Sequence, residues 1–308
     1  APEDRTEPPS LAAIAALVSA TTVRGPGIVP VVEVRDGGPG RERTEWLRTN
    51  LQPQKQAEYA QVLVSLELGD LTSGQMRALA ALARAYGDGT VRVTVDQNLV
   101  LRWVKGGQVP GLYRRLATAG LGRPGAGTIM DVTSCPGAES CRLAVTQSRG
   151  LARLIGEELA RQPLLTRRTE DVRIKISGCP NGCGQHHVAA LGFQGSIRKL
   201  GDRAVPQYFM LLGGGAESDG ARFGRLTAKI PARRIPEAVT RMLALYREER
   251  EAGESATAFF QRVDQARAKA AVADLEQMTA DDALPADFVD PGEDHAFTPE
   301  VMDGECSA

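Results

Sequence analysis

Four cysteines carry the most specific chemistry available to this 308-residue chain. Cys135 and Cys141 are separated by five residues, Cys179 and Cys183 by three, and 37 residues lie between the two pairs. Beside them stand Pro136, Gly137, Gly178, Pro180, Gly182 and Gly184, residue types that permit sharp turns and let backbone N–H groups face sulfur. Two tight loops with four thiolates can wrap a compact inorganic core. Spacing favours an iron–sulfur cluster over a structural zinc ion, whose paired cysteines stand about two to four residues apart; zinc and unliganded core thiols stay open as alternatives. Five cysteines, four of them in close pairs, do not form a secreted disulfide framework, so a reducing, cytoplasmic setting is expected. Cys306, near the C-terminus, reads as an incidental exposed thiol.

The elements that must position these loops follow from hydropathy patterning. QVLVSLEL reads as a strand, and Thr72 with Gln75 forms a capping box before a helix whose Met76, Leu79, Ala80, Ala83 and Tyr86 share a face, closed by Gly87. VRVTVDQ and NLVLRWV read as two successive strands, the first with Val91, Val93 and Val95 on an apolar face, and residues 111–120 as a helix. TIMDVTSC is a strand running into Cys135, and residues 139–162 are expected to be mostly a helix that contains Cys141. VRIKIS delivers the chain to Gly178 and Cys179, with Arg173 and Lys175 on its polar face. Strands LGFQGSI and QYFMLL follow, then helices over 236–252 and 255–278.

Two segments carry a resemblance. TSCPGAESCRLAVTQSRGLA and SGCPNGCGQHHVAALGFQG together resemble the two cluster motifs of the assimilatory sirohaem- and 4Fe-4S-dependent nitrite and sulfite reductases. VRVTVDQNLVLRWV and the preceding WLRTNLQPQKQ are similar to that family's ferredoxin-like half-domain, and YFMLLGGG and REEREAGE to its closing strand and helix, so the likeness covers about residues 45–265 in order. The fold implied is α+β: a ferredoxin-like half-domain followed by a sirohaem/4Fe-4S-binding α/β domain, one half of a pseudo-twofold architecture. The expected division is 1–45 connector, 46–122 half-domain, 123–270 cofactor domain and 271–308 acidic, flexible tail.

By this resemblance Cys135, Cys141, Cys179 and Cys183 hold the cluster, and Cys183 also ligates the sirohaem iron, which makes it the catalytic position. Arg92, Thr94, Gln97, Asn98 and Asn181 are implied as sirohaem contacts. The reaction implied is six-electron reduction of sulfite to sulfide or nitrite to ammonia, with electrons from ferredoxin or a flavoprotein and a small anion as substrate. Only one copy of the repeated unit is found, so a C-terminal portion or a pairing subunit is expected, completed by the other pseudo-symmetric half. A precorrin-3B synthase-like tetrapyrrole oxidation and a non-catalytic electron-transfer module share the cluster motifs and stay open. His186 and His187 read as structural rather than ligating.

Bulk properties exclude other classes. A net charge of −1 gives no basis for nucleic-acid binding, and no apolar run reaches the roughly 20 residues of a membrane span. The run Leu11–Ala20 is preceded by Glu3, Asp4 and Glu7 where a signal peptide has a positive region, and reads as a short helix. No Lys or Arg follows Lys269, so the acidic end reads as solvated.

Overall fold

A computed structural model describes residues 5–19, 40–217 and 220–298; the stretch 20–39 and Cys306 lie outside the described residues. Two compact units divide between Gly127 and Thr128, slightly beyond the boundary expected at 122. The fold is α+β, as expected.

The first unit contains α1 (Leu11–Ser19), α2 (Arg41–Asn50), β1 (Leu51–Pro53), β2 (Tyr59–Val64), α3 (Ser73–Tyr86), β3 (Arg92–Val93), β4 (Leu99–Lys105) and α4 (Val109–Thr118). Its antiparallel sheet has the order β1-β2-β4-β3. Val62, Val64 and Leu101 of the strands meet Leu82, Leu112 and Leu116 of the helices in one core. Thr72 and Gln75 form the reciprocal capping box, and Gly87 caps the end of α3.

Two expectations fail in this unit. The first segment is not only a connector: α1 lies on α3 and α4 and buries Ile14 completely, while the Arg115 guanidinium donates to Pro9 O at 2.7 Å. VRVTVDQ does not continue as a strand past Val93. Thr94 N–H donates to Asn98 O at 2.9 Å and Asn98 N–H to Thr94 Oγ1 at 3.0 Å, so the chain turns over there, with Gln97 at φ 62°. Val91 packs against the core, but Val93 and Val95 point outward, 79% and 71% exposed.

The second unit contains β5 (Thr133–Ser134), α5 (Ser148–Arg161), α6 (Pro163–Arg168), β6 (Ile174–Ser177), β7 (Leu191–Leu200), β8 (Arg203–Leu212), β9 (Gly215–Glu217), β10 (Gly220–Arg222), β11 (Arg225–Pro231), α7 (Ile235–Glu249), α8 (Ala256–Arg262), α9 (Gln265–Ala270) and α10 (Ala273–Glu276). Its main sheet has the order β11-β8-β7-β6-β5; β5, β6 and β7 run parallel, and β8 and β11 are antiparallel to their neighbours. All four residues of β6 are buried, because a strand inside a parallel block is covered on both faces. The alternation of VRIKIS therefore does not expose Lys175, which is 7% accessible.

Three further expectations are corrected. Cys141 lies on a turn, and the helix begins at Ser148 because the preceding residues are held by the neighbouring loop. The helix expected over 255–278 is three short ones; Asp264 breaks the run by accepting from Arg267 N–H at 3.0 Å. The acidic end is packed through residue 298: Phe288 joins Val205 and Met278 in a core, and Asp287 and Asp290 are buried. Aromatic anchors there override the charge-rich composition.

Replacing Ile14 by Ala should cost about 2–5 kcal/mol, the range for emptying a fully buried aliphatic site, if α1 is integral to the first unit. Urea unfolding of the variant measures it, and an unchanged midpoint would show α1 to be dispensable.

Candidate metal centre

The C-terminal ends of adjacent parallel strands, a common position for ligand sites in such sheets, deliver both cysteine loops to one edge. β5 pairs with β6 through Thr133–Lys175 and Ser134–Ile176, so Cys135 emerges beside Gly178 and Cys179. Cys135 N–H donates to Ile176 O at 3.1 Å, continuing the ladder one step beyond the strand.

The Gly178 peptide then ties the loops together. Its N–H donates to Cys135 Sγ at 3.2 Å, and its carbonyl accepts from Val145 N–H at 2.9 Å and Thr146 N–H at 3.1 Å. A Cβ on Gly178 would stand 2.6 Å from Thr146 O, so no larger residue fits. Ser148 closes the first loop: its hydroxyl donates to Cys135 O at 2.9 Å and lies 3.3 Å from Cys135 Sγ.

The second loop curls just as tightly. Gly182 adopts φ +69°, Gln185 N–H donates to Gly182 O at 2.7 Å, and Gly184 N–H donates to Ser177 Oγ at 3.0 Å. None of the four cysteines is in a disulfide. Cys135 and Cys179 are buried, Cys141 is half-buried and Cys183 is exposed, as is Asn181 beside it.

Charge and imidazole groups flank these loops. The buried Lys175 ammonium donates to Gln185 Oε1 at 2.9 Å, placing a cation at the base of the second loop. Arg173 is half-buried and donates to Glu170 O. His186 is 3% exposed, and its ring meets that of His187 edge-on at 5.1 Å. Burial, and then the neighbouring His187, push His186 down to about 4, against a hydrogen bond with Gln194 that acts the other way. His186 is thus a neutral core side chain above that pH. His187 lies nearer the cysteines: its Cε1 occupies the space 2.8 Å from a Cβ placed on Gly182.

The remaining expected contacts belong to the first unit. Arg92 is exposed on β3, and Thr94 and Gln97 are half-buried in the hairpin turn. Asn98 is only 1% exposed, and its Oδ1 accepts from Leu66 N–H at 2.9 Å, which ties the hairpin to the segment after β2. Thr146, Gln147 and Ser148 were missed as loop-fixing residues, because the sequence read them as helix interior. A run of Thr, Gln and Ser at the head of an apolar periodicity is the N-terminal signal that marks them.

The donor set, four cysteines outside any disulfide on two glycine-bound loops with an N–H already directed at one sulfur, suits an iron–sulfur cluster. Residues 125–278 match the family model described as the nitrite and sulphite reductase 4Fe-4S domain, and residues 52–119 match the nitrite/sulfite reductase ferredoxin-like half domain. The chain belongs to the nitrite and sulfite reductase family. Among family relatives it is 30% identical over 191 residues to a ferredoxin–nitrite reductase of Synechococcus elongatus, covering 62% of this chain and 37% of that protein. It is 32% identical over 189 residues to a sulfite reductase [NADPH] hemoprotein beta-component of Methylobacterium, covering 59% and 29%. The solved structure of the NirA protein of Mycobacterium tuberculosis superposes with a TM-score of 0.62 at 25% identity, covering 71% of this chain and 40% of that one. The chain thus spans well under half the length of these relatives. No helix of its described residues is long and apolar enough to cross a membrane.

A pH test separates two buried groups of this unit. Burial, and then the Glu293 carboxylate, raise Asp290 to about 7, against a backbone hydrogen bond from Gln147 and the charge of Arg233. Between pH 4 and 6.5 the unfolded chain binds a proton on His186 that the folded chain does not, while the folded chain holds one on Asp290 that the unfolded chain releases; the two slopes oppose each other. Asp290→Asn removes the second. Its stability should therefore fall on acidification through this window by up to about 1 kcal/mol per pH unit relative to wild type. Parallel curves from urea unfolding at stepped pH would refute the assignment.

Proposed function

We propose that this chain is the cluster-bearing half of a sirohaem-dependent nitrite or sulfite reductase, with Cys135, Cys141, Cys179 and Cys183 holding a 4Fe-4S cluster. The observation that carries this reading is the graded exposure of four cysteines, none in a disulfide, on loops joined by the backbone of Gly178. Buried Cys135 and Cys179 suit cluster ligation alone, and exposed Cys183 suits a thiolate that also reaches the sirohaem iron.

When bound, the cluster and sirohaem supply the one-electron transfers of the six-electron reduction of nitrite to ammonia or sulfite to sulfide. The chain's own groups do the holding. Gly178 N–H, donating to Cys135 Sγ, withdraws charge from that thiolate and favours the reduced state. Buried Lys175 adds positive potential at the base of the second loop, with the same sign of effect. Arg92, Thr94, Gln97 and Asn181 offer donors to the many carboxylates of the macrocycle; Asn98 supports them by fixing the hairpin. Because Cys183 and Asn181 are exposed, the pocket requires the other pseudo-symmetric half, on the same polypeptide, a separate subunit or a homodimer mate. Ferredoxin or a flavoprotein supplies the electrons, and four cysteines outside any disulfide suit the cytoplasm.

Anaerobic reconstitution with iron and sulfide, read by absorption and iron analysis, tests the reading. One 4Fe-4S cluster per chain is expected, abolished by Cys135→Ser or Cys179→Ser. Sirohaem should bind weakly and turnover should be slight until the other half is supplied, after which nitrite and sulfite can be compared directly. Stoichiometric zinc in place of iron would overturn the proposal.

A further inference from the structure

Residues 279–298 follow the part of the second unit that the 4Fe-4S family model matches, which ends at residue 278. They are nevertheless bound into that unit. Phe288 is 6% exposed, with the Arg203 guanidinium 3.4 Å from its ring centroid, and Phe297 N–H donates back to Phe288 O at 2.7 Å.

The segment grips one place in particular. Asp290, 2% exposed, accepts from Gln147 N–H through Oδ2 at 2.8 Å, and the Glu293 carboxylate accepts from the Gln147 side-chain amide. Gln147 is the N-cap of α5 and provides no side-chain cap of its own; a carboxyl group from 143 residues away accepts instead from the N-cap's own N–H. The next peptide lies directly on the helix: a Cβ on Gly150 would stand 1.6 Å from Pro291 O. Gln147 follows Thr146, which is bonded to Gly178, so this grip acts on the loop that carries Cys141.

The same segment walls a cavity of about 350 Å³. Glu139, Cys141 and Arg142 line one side; Asp290, Glu293 and Phe297 line the other. Movement of the segment would open the approach to Cys141 without involving Cys183, which does not line the cavity.

We infer that residues 285–298 form a strap that limits the access of small oxidants and thiol reagents to Cys141, and that Asp290 is the positioning residue that ties the strap to the cysteine loop. Protection of the cluster rests on the proposed ligand role of Cys141, whereas protection of the thiol does not.

Two substitutions disturb the contact from opposite sides. Asp290→Ala removes the acceptor for Gln147 N–H, and Gly150→Ala pushes Pro291 away while placing in the helix a residue that helices otherwise favour. In the metal-free chain at fixed pH, peptide-resolved iodoacetamide labelling should show Cys141 reacting about tenfold faster in both variants, the change in open population that follows loss of one buried hydrogen bond. Exposed Cys183 is the internal control and should stay within about twofold. Asp290→Asn, which keeps an oxygen for Gln147 N–H, should stay close to wild type. In the reconstituted protein, air bleaching of the cluster absorbance should follow the same order. Unchanged Cys141 labelling in both variants would overturn the strap, as would equal acceleration of Cys183, which signals general loosening. If no cluster assembles, the labelling arm still decides the strap and only the cluster reading falls.

Discussion

The peptide of Gly178 is the constraint on which the second unit's chemistry depends. One backbone group directs its N–H at a sulfur of the first cysteine loop, and its carbonyl takes two N–H groups from the end of that loop. Buried peptide groups must find partners, and here the partners come from a segment distant in sequence, so satisfying the backbone and joining the cysteine pairs are the same event. The absence of a side chain is essential, since Thr146 O already occupies the position a Cβ would need.

Around that peptide the fold supplies rigidity in layers. β6 is an inner strand of a parallel block, buried on both faces, and it brings Lys175 with it into the interior. A buried ammonium is tolerable only with a partner, and the Gln185 amide oxygen is one that accepts from it. The helix that follows the first loop is anchored from beyond the matched family domain, by Asp290 and Glu293 on Gln147. The cysteine loop is thus held at both ends by Gly178, and its C-terminal end is held by the acidic segment as well.

Each unit also leaves apolar groups in water. Val93 and Val95 stand on an exposed hairpin of the first unit, and Phe223, 73% exposed, meets His187 edge-on at 5.0 Å in the second.

The identity of the cysteine pairs, the capping box at Thr72 and the α+β order of elements were legible in the sequence, because each depends on residues close together along the chain. The inner sheet positions were not. Alternation in VRIKIS describes a strand without revealing that a second layer covers its polar side, and the alternating valines of VRVTVDQ cannot indicate which face meets a core. Composition described the acidic end as solvated, yet Phe288 and Asp290 are buried, because a few anchors and one distant helix N-terminus decide the matter. The sequence by itself determined the donor set and the turns that bear it; only the tertiary structure decided which thiols are buried and what holds their loops, because burial and hydrogen-bond partners are set by segments far apart in the chain.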